Sequence, residues 1–226
     1  RVLFRSGGSM SHVFGSGTGY NLTDVTTALY EVSTFKSIFA APLTFNYNQY
    51  SSELIVLGSG NLGLIYLTQW QQRLTYEEIV MLFPELIPGL VNHSGIGFIL
   101  VDSISNGGMV IGQNGIYYLE NDEIVGENPL KGFGENASRH LKRQNGFKNM
   151  PDILVNSFYD SENDEVCAFE ELIGSHGGLG GNQTKPFILY PSTWNVSDDE
   201  LIGAENIYKI LKENLQNLKN GVDDDK

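Results

Sequence analysis

The sequence predicts a mixed α/β fold that contains an antiparallel β insertion and ends in a helix. Three observations carry this prediction: an apolar strand-turn-strand pattern near residue 60, several short strand-like runs between residues 96 and 126, and two amphipathic helical patterns that begin with capping boxes. The order of these elements, with helical patterns placed among strand-like runs, is typical of a sheet covered by helices.

Residues 1–50 are rich in Gly, Ser, Thr and Asn, and they form an N-terminal stretch with no clear periodicity. The segment "DVTTALYEV" within it favours a short helix capped at Thr23 or Asp24. The chain opens with Arg1 in place of Met. We therefore expect the start of this sequence to be artificial and the chain to be a fragment.

A buried hairpin is predicted next, because the apolar runs 54–57 and 64–67 are split by "GSGN". A helix should follow, since Thr75 and Glu78 have the spacing of a capping box. Pro84 or Pro88 should bend or break this helix. Its apolar face comprises Ile79, Leu82, Phe83, Leu86, Ile87 and Leu90.

Three strand-like runs, "IGFILVDS", "GMVIGQNGIYYL" and "DEIVG", then predict an antiparallel meander with glycine-containing turns. "NASRHLKRQNGF" favours a short polar helix and "DILVNSFY" a strand. A second capping box, Ser197 to Glu200, predicts the start of a C-terminal helix. This helix should pack back on the body through Ile207, Leu211, Leu215 and Leu218, and "GVDDDK" should be frayed.

The charge balance excludes one class of partner. The chain has 14 Lys and Arg against 27 Asp and Glu, for a formal charge of −13, so it should repel nucleic acid. Its single cysteine, Cys167, allows neither an internal disulfide nor a Cys-rich zinc site, and its apolar surroundings indicate a small buried side chain. No apolar run reaches the roughly 20 residues of a transmembrane helix, so this chain has no membrane segment.

The segment "GSHGGLGG", residues 174–181, is the most distinctive glycine cluster. It lacks the G-x-G-x-x-G of dinucleotide-binding loops and the frame of a Walker A loop, and Ser175 is one position out of register for a nucleophile elbow. The remaining feature is His176, whose glycine neighbours leave room around the imidazole. A metal ligand or general base and an ordinary loop residue are equally good interpretations. One histidine alone does not make a zinc site, so partners must lie elsewhere.

Other polar residues have weaker interpretations. Asn61 could point toward a substrate, although asparagine in such turns usually serves backbone geometry. Glu170 and Glu171 could orient His176 through its second nitrogen or could simply be exposed. The "DSENDE" segment is better explained as a solvated turn than as a calcium loop, because it lacks the EF-hand glycine and terminal glutamate. The acidic residues of that segment are Asp160, Glu162, Asp164 and Glu165.

Five blocks carry a resemblance to a known family: "SGNLGLIYLT", "LIPGLVNHSGIGFILV", "GENPLKGFG", "DILVNSFYD" and above all "AFEELIGSHGGLGGNQTKPFILYP". They resemble the C-terminal half of type I phosphodiesterase/nucleotide pyrophosphatase-like proteins of the alkaline phosphatase superfamily, in a prokaryotic branch sometimes labelled phage holin family. The resemblance implies a partial alkaline phosphatase-like fold. Residues 51–192 would then be the C-terminal portion of that domain, and 193–226 a C-terminal helix and tail.

The resemblance also implies a chemistry. Superfamily enzymes use two metal ions, usually zinc, and a Ser or Thr nucleophile to cleave phosphate esters of small molecules or nucleotides. Their last metal ligand in chain order is a histidine in a small-residue setting, the role implied for His176. The earlier ligands and the nucleophile would lie upstream, since this chain has no Asp-His dipeptide. The other histidines, His12, His93 and His140, do not replace them.

On this basis we expect the chain alone to contain no catalytic residues and to be inactive. It would be the soluble part of a prokaryotic protein, and longer members of the branch sometimes carry a membrane anchor in the part that this chain lacks. The alternative is a non-catalytic interaction or membrane-associated domain that retains the fold.

Overall fold

The computed structural model describes residues 54–169, 176–197 and 201–223, which fall into two compact units divided after Lys185. The first unit is built on a seven-stranded sheet of order β1-β2-β7-β3-β4-β5-β6, and all neighbouring strands in it pair antiparallel. Its strands are β1 Ile55–Ser59, β2 Leu62–Tyr66, β3 Ile96–Ser103, β4 Gly107–Gly112, β5 Gly115–Tyr118, β6 Glu123–Gly126 and β7 Ile153–Ser157.

The predicted hairpin is confirmed as β1 and β2, but of the two strands only β2 contains buried residues. β2 pairs with β1 on one side and with β7 on the other. β1 lies at the edge of the sheet, where Ile55 is 38% and Leu57 50% exposed. The prediction of a buried hairpin is therefore wrong for its first strand, because apolar composition does not distinguish a central strand from an edge strand.

The predicted amphipathic helix is two helices, α1 Tyr76–Leu82 and α2 Leu86–Val91. The capping box is present, since the Thr75 amide donates to Glu78 Oε2 at 2.8 Å and the Glu78 amide donates back to Thr75 Oγ1. The break falls at Pro84, whereas Pro88 lies in the first turn of α2, where its missing N–H costs nothing. Five of the six predicted apolar residues are buried against one face of the sheet: Ile79, Phe83, Leu86, Ile87 and Leu90.

The opposite face of the sheet is covered by α3 Ala137–Asn145, the polar helix that the sequence predicts, and by the loop before it. Leu141 and Phe133 pack there against Phe98 and Leu100 of β3. The alternate β3 residues Ile99 and Val101 belong to the first face. A strand buried on both faces gives a continuous apolar run, which is why "FILV" shows no alternation.

The meander contains one strand more than predicted, and the sheet strands outside the meander, β1, β2 and β7, also pair antiparallel. The run 108–119 is two strands, β4 and β5, joined by a tight turn at Gln113 and Asn114, with Gly112 opposite Gly115. The predicted strand "DILVNSFY" is confirmed as β7, and it inserts between β2 and β3. A small second ladder follows, with β8 Tyr159–Asp160 paired to β9 Glu165–Val166.

The second unit contains α4 Ala204–Asp223, a C-terminal helix as predicted. This helix begins after Gly203, whose φ is +87°. Its start is therefore later than the capping box Ser197 to Glu200 predicted, and residues 198–200 of that box lie outside the described residues. Leu211, Leu215 and Leu218 are about half exposed, and their predicted packing on the body stays a prediction.

No helix in the described ranges is long and apolar enough to cross a bilayer. The predicted helix "DVTTALYEV" and the frayed end 224–226 also lie outside those ranges.

Candidate functional site

His176 is exposed at the start of the glycine loop, the segment 176–184 that ends in a 3-10 turn at Gly181–Thr184. The loop lies against the turn between β1 and β2. The Asn61 amide donates a hydrogen bond of 3.1 Å to the carbonyl oxygen of His176. Gly60 makes room for this contact, because a Cβ at that position would overlap the His176 carbonyl. The backbone of His176 is therefore fixed while its imidazole faces solvent.

The side chain of Asn61, which is fully buried, also binds the glycine loop. Its Oδ1 accepts from the Gly178 amide at 2.9 Å and from Gln183 Nε2 at 3.1 Å. Its Nδ2 donates to the carbonyl oxygen of Leu179 at 2.8 Å. Each polar atom of this amide has a partner, as a buried polar group requires.

Asn156 of β7 is the second buried anchor, with 1% of its surface exposed. The Leu179 amide donates to its Oδ1 at 2.6 Å, and its Nδ2 donates to the carbonyl oxygens of Leu179 at 3.1 Å and Ser157 at 3.0 Å. The two anchors are neighbours in the sheet, since the Ser157 amide donates to the Asn61 carbonyl. Asn156 thus binds both the amide and the carbonyl of Leu179, and Asn61 binds the same carbonyl.

Glycine is required at the two positions that follow His176. Gly177 has φ +98°, and a Cβ on it would stand 2.6 Å from the Ser59 carbonyl oxygen. A Cβ on Gly178 would stand 2.6 Å from Asn156 Oδ1. Residues with side chains rarely adopt such a φ, and neither contact leaves room for one. The glycines allow close approach of the loop to the hairpin turn and to β7.

The acidic turn 160–165 holds the other end of the glycine loop. Asn182 Nδ2 donates to Asp164 Oδ2 at 2.7 Å, and the Tyr159 hydroxyl donates to Asp164 Oδ1 at 2.9 Å. Burial and this hydrogen bond raise the pKa of Tyr159. Asp160 accepts hydrogen bonds from Asn163 and from the Glu162 amide, which lower its pKa. The turn is local and exposed, as predicted, but Asp164 in addition anchors the loop.

This arrangement presents one imidazole on a fixed backbone, which suits a metal ligand or a proton acceptor. No cluster of three or more His, Cys, Asp or Glu that could hold a metal occurs in the part of the chain that the structure describes. Ser175, Glu170 and Glu171 lie outside that part, so the orientation of His176 by either glutamate stays a prediction. His12 is also outside it.

Two further histidines have ordinary surroundings. His93 is partly buried and accepts a hydrogen bond from the Gly95 amide at its Nδ1, 3.2 Å away; burial lowers its pKa. His140 lies on α3 and is partly exposed.

Cys167 is buried as predicted, and burial raises the pKa of its thiol to about 12, so it is not a reactive thiolate at neutral pH.

Sequence reasoning missed Asn156 and Gln183. Asn156 had a recognisable signal, because it is the polar residue within the apolar strand run "ILVNS", and a polar residue there requires buried partners. Gln183 had none, since a glutamine in a polar loop is usually solvated. Comparisons with protein-family models, with curated proteins and with solved structures gave no significant match.

Proposed function

We propose that the chain is the C-terminal portion of an alkaline phosphatase-like domain in a metal-dependent hydrolase of phosphodiester or other phosphate-ester bonds. His176 would be one ligand of a divalent metal pair, proposed as zinc because imidazole is a preferred zinc ligand. The observation that supports this role is that His176 is exposed, whereas the backbone of the loop that carries it is held by the buried residues Asn61 and Asn156.

A fixed backbone matters for such a ligand. Two metal ions clamp the attacking and leaving oxygens of a phosphoryl transfer and stabilise the charge that develops, but only if their ligands hold the correct geometry. A histidine on a flexible loop loses conformational entropy each time it binds. The hydrogen bonds to the backbone of the glycine loop restrict it already in the folded chain, which favours metal binding at His176.

The remaining ligands and the Ser or Thr nucleophile would come from residues outside the described part, in a longer protein that continues upstream. This chain would therefore supply a ligand and no catalytic residue. Its substrates would be phosphate esters of small molecules or nucleotides. The formal charge of −13 disfavours nucleic acid as a partner.

Hydrolysis by the longer protein tests this proposal. We expect His176→Ala to lower the rate on a p-nitrophenyl phosphodiester by roughly 10²–10³-fold, because a metal that stabilises transition-state charge is lost or displaced. Zinc content should fall in parallel. His140→Ala, at a partly exposed histidine on α3, is the control and should leave both quantities unchanged. A His176→Ala variant as active as its control would contradict the proposal, and an inactive metal-free parent would favour the interaction domain.

The 226-residue chain provides a second test. A single imidazole gives only weak zinc binding, because stable sites in proteins use about three or four ligands. Calorimetry at neutral pH should therefore detect no submicromolar site. If a submicromolar site appears and His176→Ala abolishes it, the other ligands lie within this chain and the proposed upstream half is wrong.

A further inference from the structure

We propose that Asn114 is a site of spontaneous deamidation and that this covalent change releases the edge strand β6 from β5. The reaction uses a side chain and a backbone amide of this chain together with water, so it does not depend on the proposed function. Its basis is the Asn114-Gly115 pair in the β4–β5 turn. The side chain there is weakly held, whereas the backbone is packed tightly against the end of β6.

An asparagine followed by glycine carries its own reaction partners. The glycine backbone nitrogen attacks the side-chain carbonyl carbon of asparagine and forms a carbon–nitrogen bond, while the bond to the side-chain nitrogen breaks. Ammonia leaves with the proton of the backbone amide. Water then opens the five-membered imide at one of its two carbonyls and gives aspartate or isoaspartate. Glycine favours the attack because it has no side chain in the way and leaves the backbone free to turn.

The sequence contains four Asn-Gly pairs, and the structure describes the asparagine side chains of three of them. Attack requires the side-chain amide to rotate toward the following backbone nitrogen, so hydrogen bonds that hold this amide slow the reaction. Asn145 is held at both polar atoms: its Oδ1 accepts from Arg73 Nη1 at 2.8 Å, and its Nδ2 donates to Asp102 Oδ1 at 3.0 Å. Both partners are charged, and such hydrogen bonds are stronger than neutral ones. Folding therefore protects Asn145.

Asn106 and Asn114 are exposed, but they are restrained to different degrees. Ser103 Oγ accepts hydrogen bonds from the backbone amide of Asn106 at 3.1 Å and from its Nδ2 at 3.4 Å. The side chain of Asn114 instead donates to the exposed Glu127 carboxylate at 3.2 Å, a contact that water replaces at little cost. We therefore expect Asn114 to react fastest and Asn145 slowest.

The backbone around Asn114 has no room for the product. The Glu127 amide donates to the Asn114 carbonyl oxygen at 3.0 Å. Two glycines allow this approach, because a Cβ on Gly126 would overlap the Asn114 carbonyl oxygen and a Cβ on Gly115 would overlap the Glu127 carbonyl oxygen. Isoaspartate adds a methylene group to the main chain before Gly115, and its free carboxylate faces the carboxylate of Glu127. Both the added atom and the like charge push the end of β6 away.

The damage should remain local to the edge of the sheet. β6 pairs with β5 over residues 123–126 and 115–118, and all four of its residues are exposed. In the described sheet β5 is its one neighbour. The central strands β3 and β7 do not touch this turn through their pairing, so they should keep their hydrogen bonds when β6 separates.

Peptide mapping of the 226-residue chain after incubation in mildly alkaline buffer tests the reactivity. Fragment masses assign deamidation to each asparagine, and methylation by an isoaspartate methyltransferase reports the isoaspartate product. We expect Asn114 to deamidate at least about tenfold faster than Asn145, since two hydrogen bonds to charged groups must break at 145. Asn106 should lie between them. A rate at Asn114 that does not exceed both of the others would overturn the proposal.

Amide exchange tests the release of β6. Anion exchange separates the deamidated chain by its added negative charge, and in the isoaspartate form the β6 amides that bind β5 should lose their protection. The amides of β3 and β7 should remain protected. Asn114→Gln is the control, because its longer side chain keeps an amide but closes the ring poorly, and after the same incubation its β6 should stay protected. Protected β6 amides in the isoaspartate form, or equal loss in incubated Asn114→Gln, would overturn the proposal.

Discussion

The glycine loop and the meander β3–β6 are both rich in glycine, but they are stabilised differently. In the meander, turn amides find partners nearby: those of Ser105 and Asn106 donate to Ser103 Oγ, at sequence separations of 2 and 3. In the glycine loop, the Gly178 amide binds an oxygen 117 residues away. Glycine content alone therefore does not identify a loop that distant residues hold in place. The distinguishing feature is a set of buried side chains that hold the loop from distant parts of the chain.

The largest expected effect comes from one matched pair of glycines. Gly60 and Gly107 have almost the same φ, +60° and +66°, but a Cβ at 60 would overlap the backbone of His176, whereas at 107 it would meet the flexible Glu120 side chain at 2.7 Å. Left-handed strain alone costs about 1–2 kcal/mol. We expect Gly107→Ala to lose about that much free energy of unfolding in urea titration, and Gly60→Ala to lose at least about 3 kcal/mol.

Equal losses of unfolding free energy for Gly60→Ala and Gly107→Ala would contradict the expected difference between the two glycines. They would mean that the glycine loop moves away from the hairpin turn at little cost. The contact between residues 60 and 176 would then not define the position of the histidine.

Asn156→Ala should lower the free energy of unfolding less than Gly60→Ala does, and Asn114→Ala should lower it less still. Asn156→Ala leaves the partly buried Leu179 amide without its acceptor and the Ser157 carbonyl without this donor, while the Leu179 carbonyl keeps its hydrogen bond from Asn61, and we expect a cost of about 1–3 kcal/mol. Asn114 is exposed and its side chain donates a hydrogen bond to the exposed Glu127 carboxylate, so Asn114→Ala should cost less than about 0.5 kcal/mol. Chemical denaturation measures both values. A loss below about 1 kcal/mol for Asn156→Ala would show that water replaces the amide.

The sequence predicts local elements better than it predicts the site. Capping at Thr75, a break near Pro84 or Pro88 and the strand 96–103 depend on neighbouring residues, and all three are confirmed, with the break at Pro84. The extra strand in 108–119 was missed because "GQNG" was counted as part of one run, although Asn114–Gly115 is a turn signal. The same reasoning could have found it.

The anchoring of the glycine loop could not be predicted in the same way. It depends on β7 inserting between β2 and β3, which brings residue 156 beside residue 61. Local patterns do not encode which strands become neighbours, because pairing over such separations is decided by the whole core.

The stability of the fold should depend on the protonation of His93. His93 precedes β3, and burial lowers its pKa below the ordinary value near 6.5. The unfolded state therefore binds the proton more readily, so the stabilising contribution is complete above about pH 6.5 and is lost as the pH falls through the folded pKa. Protonation would also remove the acceptor at Nδ1 that the Gly95 amide uses.

His93→Gln should flatten the dependence of the unfolding free energy on pH between about 5 and 6.5, where carboxylates remain ionised. Urea titrations at several pH values measure the slope. A slope identical to that of the unmodified chain would show that His93 stays hydrated in the folded state and that burial does not control its titration.

The smallest expected effect on stability is that of His176→Ala. The imidazole is exposed, and the contacts of this residue with the hairpin turn are made by its backbone, which alanine retains. Surface substitutions without special contacts change the free energy of unfolding by no more than about 0.5 kcal/mol. We therefore expect His176→Ala to be neutral in urea titration of the 226-residue chain, in contrast to Gly60→Ala at the residue that its carbonyl touches. A loss above about 1 kcal/mol would mean that the imidazole itself packs on the fold, and a side chain that stabilises the fold in that way would not be free to bind a metal.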